Sequence, residues 1–302
     1  MDKLTSRREL MRAGSALAVA GLFAAPASAG IDPIKRLGPS KMKLSCAAYS
    51  FRDQLLGKKE PHWTLDNFIE FCAAQGLEGT ELTGYYFPKE VTPEYLAHLK
   101  HKTFLLGLDV SGTAIANNFC LPPGPDRDKQ LAHVKQWIDY SAAFGAPCIR
   151  IFSGDIPKAG SEKETIRWFL ECLEECCQYA GGKGVFLALE NHGGISVPAE
   201  RLIAIVREVR SPWFGVNLDT GNFHSDDPYA DIAKVAPYAI NVQVKTEMTP
   251  KGSAKQPADL ARIVGMLRDA GYRGYVALEY EAAEDANVAV PRHLAELRKL
   301  IS

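Results

Sequence analysis

The sequence predicts an α/β fold, a single (β/α)8 TIM barrel. Eight apolar runs of strand length alternate with eight longer segments of helical period between residue 44 and the end of the chain. The runs are almost continuously apolar, which is typical of parallel strands covered by helices. Eight such units indicate closure into a barrel, and the chain has room for the usual size of about 250 residues. An open doubly wound sheet is the alternative, but no Gly-x-Gly-x-x-Gly follows the first strand.

The predicted strands are short runs rich in Val, Ile, Leu, Ala and Cys. In chain order they are 44–50, 79–82, 104–110, 148–152, 185–190, 214–219, 240–245 and 275–279. The predicted helices follow them at 64–75, 92–101, 126–144, 162–181, 198–209, 229–235, 257–270 and 287–300. Asp126 and Ser161 can cap helix N-termini, and Gly145 and Gly181 stand where a left-handed residue ends a helix.

The first 29 residues have the layout of an export signal. An Arg7-Arg8 pair precedes an apolar stretch that runs to Ala25, followed by small residues up to Ala29. The apolar stretch 13–25 is shorter than the roughly 20 residues that a membrane helix needs. We therefore predict a twin-arginine signal peptide at 1–29, a leader at 30–43 and the barrel at 44–302. The mature protein should be periplasmic and free of the membrane.

Composition disfavours two kinds of partner. The formal net charge is −1, so the chain lacks the basic excess of proteins that bind nucleic acids. The seven cysteines are scattered and form no Cys-x-x-Cys pair, which disfavours a disulfide framework. We expect them to be reduced and buried as small apolar residues.

Four of the predicted strands end in polar motifs. These are Leu189-Glu190-Asn191-His192, Leu218-Asp219-Thr220-Gly221-Asn222, Val242-Gln243-Val244-Lys245 and Leu278-Glu279-Tyr280-Glu281. Side chains two residues apart in a strand share a face, and the branched apolar face suits the helix layer. The polar face must therefore point into the barrel. The residues expected near its C-terminal mouth, where such barrels keep their chemistry, are Glu190, Asp219, Gln243 and Glu279.

This set of side chains predicts a metal site. Three carboxylates in a poorly solvated mouth cannot all stay ionised without a compensating cation. All four predicted ligands offer oxygen, which favours one hard divalent ion, Mn²⁺ or Mg²⁺, over Co²⁺ or Zn²⁺. The alternative is that each acid is structural. The predicted ligands are Glu190, Asp219, Gln243 and Glu279.

The four motifs together resemble those of the sugar phosphate isomerase/epimerase group. These xylose isomerase-like barrels include ketose 3-epimerases and hydroxypyruvate isomerases, and the resemblance covers nearly the whole mature chain. It implies that Glu190 and Glu279 both bind the metal and move the proton next to the substrate carbonyl, and that Asp219 is a further ligand. Gln243 stands in place of the family's usual histidine. Asn222 occupies a position where the epimerases often carry a substrate-binding histidine.

Further substrate contacts are predicted around these motifs. His192 follows the Glu190 strand, and Lys245 faces inward by the same alternation as Gln243. For Lys245 the alternative is an ion pair with Glu279 or Glu281. Glu81 and Tyr49, at the mouth ends of early strands, complete the predicted substrate-binding residues, and Arg150 is expected to form an internal ion pair.

The predicted function is that of a divalent-metal-dependent isomerase or epimerase acting on a sugar or sugar derivative. Removing a proton next to a carbonyl forms an enediolate, which a metal stabilises. Because the same enediolate can expel a leaving group, a lyase or hydratase acting on keto-glycosides is one alternative. A catalytically inactive sugar-binding barrel is another, since Gln243 replaces histidine. An abasic-site endonuclease would need a histidine-rich zinc cluster and a basic face. The resemblance also admits a homodimer.

Overall fold

A computed structural model describes residues 30–158 and 160–302. The twin-arginine signal predicted at 1–29 lies outside the described residues, so it stays a prediction. Across the described ranges, no helix is both long enough and apolar enough to cross a membrane.

Eight parallel strands form a closed barrel, which confirms the predicted fold class. Each strand pairs with the next along the chain, and the eighth closes on the first. The barrel strands are β1 (Lys41–Ala47), β2 (Gly79–Glu81), β3 (Asp109–Ala114), β4 (Cys148–Ile151), β5 (Phe186–Glu190), β6 (Phe214–Asp219), β7 (Ala239–Val244) and β8 (Arg273–Leu278). A small antiparallel hairpin, Glu247–Met248 with Gln256–Pro257, lies between β7 and β8.

The helices alternate with the strands. They are α1 (Leu65–Ala74), α2 (Pro93–Leu105), α3 (Pro125–Phe144), α4 (Glu162–Lys183), α5 (Ala199–Glu208), α6 (Pro228–Val235), α7 (Leu260–Asp269) and α8 (Ala286–Ile301), with a short turn of helix at Arg52–Leu55. Ser161 caps α4 and the left-handed Gly145 ends α3, as predicted. Pro125 rather than Asp126 begins α3, and α4 continues past Gly181 to a left-handed Gly184.

The prediction for the third strand was wrong in position. The run 104–106 is the exposed end of α2 and the turn after it, and Phe104 is 80% exposed. The strand itself begins at Asp109, after a turn at Gly107 with φ of +70°. One of its inward residues is polar: the hydroxyl of Ser111 lies 2.7 Å from that of Ser45 on β1. An apolar run of three residues does not distinguish a helix end from a strand.

The leader is held against the amino-terminal end of the barrel. Strand β1 begins at Lys41, three residues earlier than predicted. Before it, Ser40 Oγ donates to the carbonyl oxygen of Tyr272 over 2.6 Å, and the Ile34 amide donates to Pro237 over 3.0 Å. These contacts fix the leader opposite the mouth that carries the polar motifs.

The register of strands β5 to β8 brings their carboxyl ends to one edge. Glu190 pairs with Asn217, Asp219 with Gln243, and Gln243 in turn with Ala277. The outward-facing side chains are buried in the apolar layer beneath the helices, among them Leu189, Leu218, Val242 and Leu278. The predicted alternation of faces is therefore confirmed. All seven cysteines are free and buried, as expected.

Candidate active site at the carboxyl ends of the strands

Most of the predicted site residues lie together at the C-terminal mouth. Glu190 and Asp219 end β5 and β6, while Lys245 and Glu279 directly follow β7 and β8. Each of these four residues is buried, although all carry a charge when ionised. We call the set that surrounds them the charged mouth: Arg150, Glu190, Asp219, Lys245, Glu279 and Glu281.

Lys245 lies at the centre of one cluster of acids. Its Nζ is 2.8 Å from Glu279 Oε2, 2.7 Å from Glu281 Oε2 and 3.4 Å from Asp219 Oδ2. Burial alone would lower the pKa of Lys245, but the three carboxylates raise it well above its ordinary value. These contacts favour the ammonium form of the side chain, which has no lone pair for nucleophilic attack. For Lys245, this ion pairing is the alternative that the sequence analysis offered to a substrate contact.

Glu190 is held by a second cation. Arg150 Nε lies 2.9 Å from Glu190 Oε2, and Asn222 Nδ2 donates to Oε1 over 2.8 Å. Burial raises the pKa of Glu190, and the Arg150 charge opposes that rise. The contact with Arg150 is the internal ion pair expected for that arginine.

The guanidinium of Arg150 is fixed in place by further contacts. Its Nη1 donates to the Ile115 carbonyl oxygen over 2.9 Å, and its Nη2 donates to the Tyr85 hydroxyl over 3.1 Å. The ring of Phe152 lies 4.0 Å from the guanidinium carbon. Arg150 therefore presents a fixed positive charge to the mouth.

Gln243 belongs to a different network, deeper in the barrel. Its Nε2 donates to Glu81 Oε1 over 2.6 Å, and its Oε1 accepts from Asn217 Nδ2 over 2.7 Å. Asn241 Nδ2 contacts both Glu81 Oε2 at 2.9 Å and Asn217 Oδ1 at 2.8 Å. We call this set the interior network: Glu81, Asn217, Asn241 and Gln243. Burial, with the nearby Glu279 charge, raises the pKa of Glu81 to about 7.

The predicted metal ligands do not fit a divalent ion as they are arranged. Both oxygens of Glu190 have partners, and the amide oxygen of Gln243 accepts from Asn217. Asp219 Oδ1 accepts from the Gly221 amide over 2.8 Å, and Oδ2 has no hydrogen bond but faces Lys245. Throughout residues 30–158 and 160–302, no group of three or more His, Cys, Asp or Glu side chains is arranged to hold a metal. One unbonded oxygen does not make a coordination site.

The other predicted substrate contacts lie at different depths. The Tyr49 ring centroid is 5.9 Å from Lys245 Nζ, at the mouth, and Asn222 contacts Glu190 there. His192 is exposed at the rim, with its ring 4.4 Å from that of Phe152. Glu81 is instead fully buried in the interior network. Its position favours a structural role over the predicted contact with substrate.

Sequence reasoning missed one contact of the mouth, the hydrogen bond by which Tyr85 holds Arg150. Glu281 was expected as an alternative partner of Lys245, and it contacts Lys245 as closely as Glu279 does. Its spacing of two residues from Glu279 puts both acids on one side of the chain. Tyr85 and Arg150 are far apart along the chain, and nothing in the local sequence links them.

A cavity of about 150 Å³ opens next to the charged mouth. Its lining includes Asn222, His224, Lys245, Thr246 and Glu281. This volume accommodates a small polar molecule beside the Lys245 ammonium group, and its size is well below that of a typical drug-binding pocket.

The fold and the mouth together define a class of protein. A closed (β/α)8 barrel here carries buried charged groups at the carboxyl ends of its strands, the end at which enzymes of this fold keep their active sites. Within that class, the chain belongs to the xylose isomerase-like TIM barrel family, whose profile matches residues 69–300.

Known proteins similar to this chain include isomerases and epimerases. A putative hydroxypyruvate isomerase from Homo sapiens is 24% identical over 235 residues, covering 70% of this chain and 83% of the human protein. The solved apo structure of 3-keto-D-glucoside 4-epimerase from E. coli is 17% identical, with a TM-score of 0.67 over 86% of this chain and 100% of that one. The IOLI protein, solved with a bound zinc atom, is 18% identical, with a TM-score of 0.68 over 86% and 96% of the two chains. The structural likenesses show the shared fold.

Proposed function

We propose that this protein is an isomerase or epimerase that moves a proton at the carbon next to a carbonyl group. Its substrate would be a sugar or another small hydroxy-carbonyl compound, and Glu190 and Glu279 would transfer the proton. The observation that supports the proposal is the burial of both carboxylates beside fixed cations at one mouth of a barrel from this family.

The chemistry requires a base and a stabilised negative charge. One carboxylate takes the proton, the electron pair of the C–H bond forms a C=C bond, and the carbonyl oxygen becomes the anionic oxygen of an enediolate. The second carboxyl group, in its acid form, returns a proton to the other face of the same carbon, and the carbonyl re-forms. In an isomerisation it protonates the neighbouring carbon instead, while the hydroxyl proton moves to the former carbonyl oxygen and the new carbonyl forms on the carbon that lost its proton. Burial raises the pKa of Glu190 and so makes it a stronger base than an exposed glutamate. The Mn²⁺ or Mg²⁺ ion predicted from the sequence is not supported by the arrangement of the side chains. The steps above therefore use only residues of this chain.

Solvent exchange across a panel of candidate substrates tests the proposal. The protein from residue 30 onward is incubated in D₂O with hydroxypyruvate, several ketohexoses and a 3-keto-glucoside. Loss of the signal from the proton next to the carbonyl is followed by NMR. We expect exchange with at least one compound, and a fall of about 10²–10⁴-fold in Glu190→Gln and Glu279→Gln.

The matched control is Glu94→Gln, the same change at an exposed glutamate in the first turn of α2. Its exchange rate should equal that of the unmodified protein. No exchange with any compound, or full exchange in both mouth variants, would refute the proposal. Binding of a sugar without exchange would favour the inactive sugar-binding barrel.

A lyase or hydratase acting on keto-glycosides is the second candidate. Its substrate class comes from the name of a structural neighbour, a 3-keto-D-glucoside 4-epimerase, and its chemistry starts from the same enediolate as the first candidate. The same enediolate would expel the group on the next carbon, whose bonding electrons leave with it. Products formed from a 3-keto-glucoside distinguish the two, because an epimer retains the aglycone and a lyase releases it.

We further propose that the protein acts in the periplasm after twin-arginine export. The Arg7-Arg8 pair, the apolar stretch and the small residues before Gly30 support this. Mass spectrometry of the periplasmic fraction should find a chain that begins at Gly30, and replacing both arginines with lysine should leave the precursor in the cytoplasm. Light scattering of the same preparation tests the proposed homodimer.

A further inference from the structure

We propose that Lys245 and Arg150 supply the positive charge for which related barrels use a metal ion, so that this site works without one. The inference rests on the proposed function and deepens it. The substrate would be a hydroxy-carbonyl compound whose carbonyl oxygen lies beside the Lys245 ammonium group when the enediolate forms.

Lys245 occupies the carboxylates that a metal would need. Its Nζ contacts Glu279 Oε2 and faces Asp219 Oδ2, the oxygen of Asp219 that accepts no hydrogen bond. A divalent ion bound to those two oxygens would lie within a few ångströms of the ammonium charge and be repelled by it. Lys245 is buried and is also held by Glu281 at 2.7 Å, so its displacement would break all three contacts.

Arg150 does the same for the remaining glutamate. It pairs with Glu190 at 2.9 Å, while the Ile115 carbonyl oxygen, the Tyr85 hydroxyl and the Phe152 ring hold the guanidinium in position. A metal that approached Glu190 would meet this fixed cation. The three predicted carboxylate ligands are therefore paired with two protein cations in the arrangement seen.

Strand β7 connects the missing ligand to the added cation. Gln243 is two residues before Lys245, and its amide is bonded to Glu81 and Asn217 in the interior network. Strand β7 was expected to supply the fourth metal ligand. Instead, Gln243 is a structural amide, and Lys245, directly after the strand, is an ammonium group. The 150 Å³ cavity next to Lys245 places that charge within reach of a small substrate.

Metal content and metal binding test this inference directly. Elemental analysis is made on protein purified without chelator, and Mn²⁺ binding is then measured by calorimetry and thermal unfolding after EDTA treatment. We expect less than about one-tenth of an equivalent of metal per chain, and no shift in melting temperature with EDTA or Mn²⁺. About one equivalent of bound metal, with destabilisation by EDTA, would overturn the inference.

Lys245→Met should convert the mouth into a metal site. Asp219, Glu279 and Glu281 lose their shared cation, so the variant should bind about one Mn²⁺ per chain and gain melting temperature with it. Lys234→Met is the matched control, because the half-exposed Lys234 pairs with only two carboxylates, Glu200 and Asp231, and its loss should create no such site. A folded Lys245→Met protein that binds no Mn²⁺ would contradict the inference. If the variant does not fold, the unmodified protein's metal content still decides.

Repeating the D₂O exchange assay in EDTA separates this inference from the proposed function. Exchange that continues in EDTA supports both. Exchange that stops in EDTA and returns with Mn²⁺ supports the function and overturns the inference. Absence of exchange under all conditions refutes the function, while the elemental analysis alone still decides whether the mouth carries a metal.

Discussion

The charged mouth and the interior network are adjacent layers of polar groups with opposite properties. In the interior network, Asn217 Nδ2 donates to Gln243 Oε1, and the other ends of the two amides are bonded to Asn241 and Glu81. In the charged mouth, Asp219 Oδ2 accepts no hydrogen bond and Glu281 is partly exposed beside a cavity. Both layers come from the same inward faces of the strands.

The difference separates stability from chemistry. A buried polar network whose members are all bonded rigidifies a core and leaves no group available to a ligand. A cluster of acids and cations next to a cavity keeps bonding capacity that a substrate can use, at a cost in stability. Changes in the mouth should therefore reduce activity most, whereas changes in the interior network should reduce stability with little effect on activity.

Glu279→Gln should give the largest effect. The exchange rate should fall about 10²–10⁴-fold because the variant loses one proton-transfer group. Its free energy of unfolding should change by less than about 1 kcal/mol, since Lys245 keeps Asp219 and Glu281 as partners. Exchange kinetics and urea unfolding measure the two. A loss of several kcal/mol of stability in Glu279→Gln would contradict the expectation for this residue.

Glu190→Gln should be costly for stability as well. It leaves Arg150 buried without its carboxylate, a loss of about 3–5 kcal/mol in the free energy of unfolding by urea. Adding Arg150→Met should recover most of that loss, because removing both charges leaves no unpaired ion in the interior. A double variant as unstable as Glu190→Gln alone would show that the ion pair does not set the cost.

Asn217→Ala should affect stability more than activity. Its amide bonds both Gln243 and Asn241, and leaving such buried groups without partners costs about 1–3 kcal/mol. The same change at Asn222, which is partly exposed and donates to Glu190, should cost less than about 1 kcal/mol but slow exchange more. Equal stability losses in the two variants would remove the distinction between the layers.

The sequence was sufficient to predict the barrel because its strands are apolar on the outer face. It failed at β3, where Ser111 faces the interior, Gly112 has no side chain, and the more apolar run at 104–106 ends a helix instead. Polar groups inside a barrel remove the apolar signal of a strand. The position of such a strand is then fixed by pairing with its neighbours, which no local pattern reports.

For the candidate site, the sequence located the residues but left the partners of Lys245 open and did not identify the partner of Arg150. The two-residue period places Glu190, Asp219 and Glu279 at one mouth, as the structure has them. It does not determine that Lys245 turns toward three acids or that Arg150 reaches Glu190 from the next strand. Those pairings depend on long flexible side chains and on distances between strands, and they decide whether the acids face a metal or a protein cation.

His192→Ala should have the smallest effect, because the side chain lies at the exposed rim and outside both layers. Its ring contacts Phe152, so the loss should cost about 0.5 kcal/mol of stability or less. If His192 contacts the substrate, its replacement by alanine should raise the KM for exchange by up to about tenfold without changing kcat. A tenfold change corresponds to about 1.4 kcal/mol of binding free energy. A fall in kcat with KM unchanged would instead place His192 among the groups that act on the reacting atoms, and the boundary of the charged mouth would then have to include the rim.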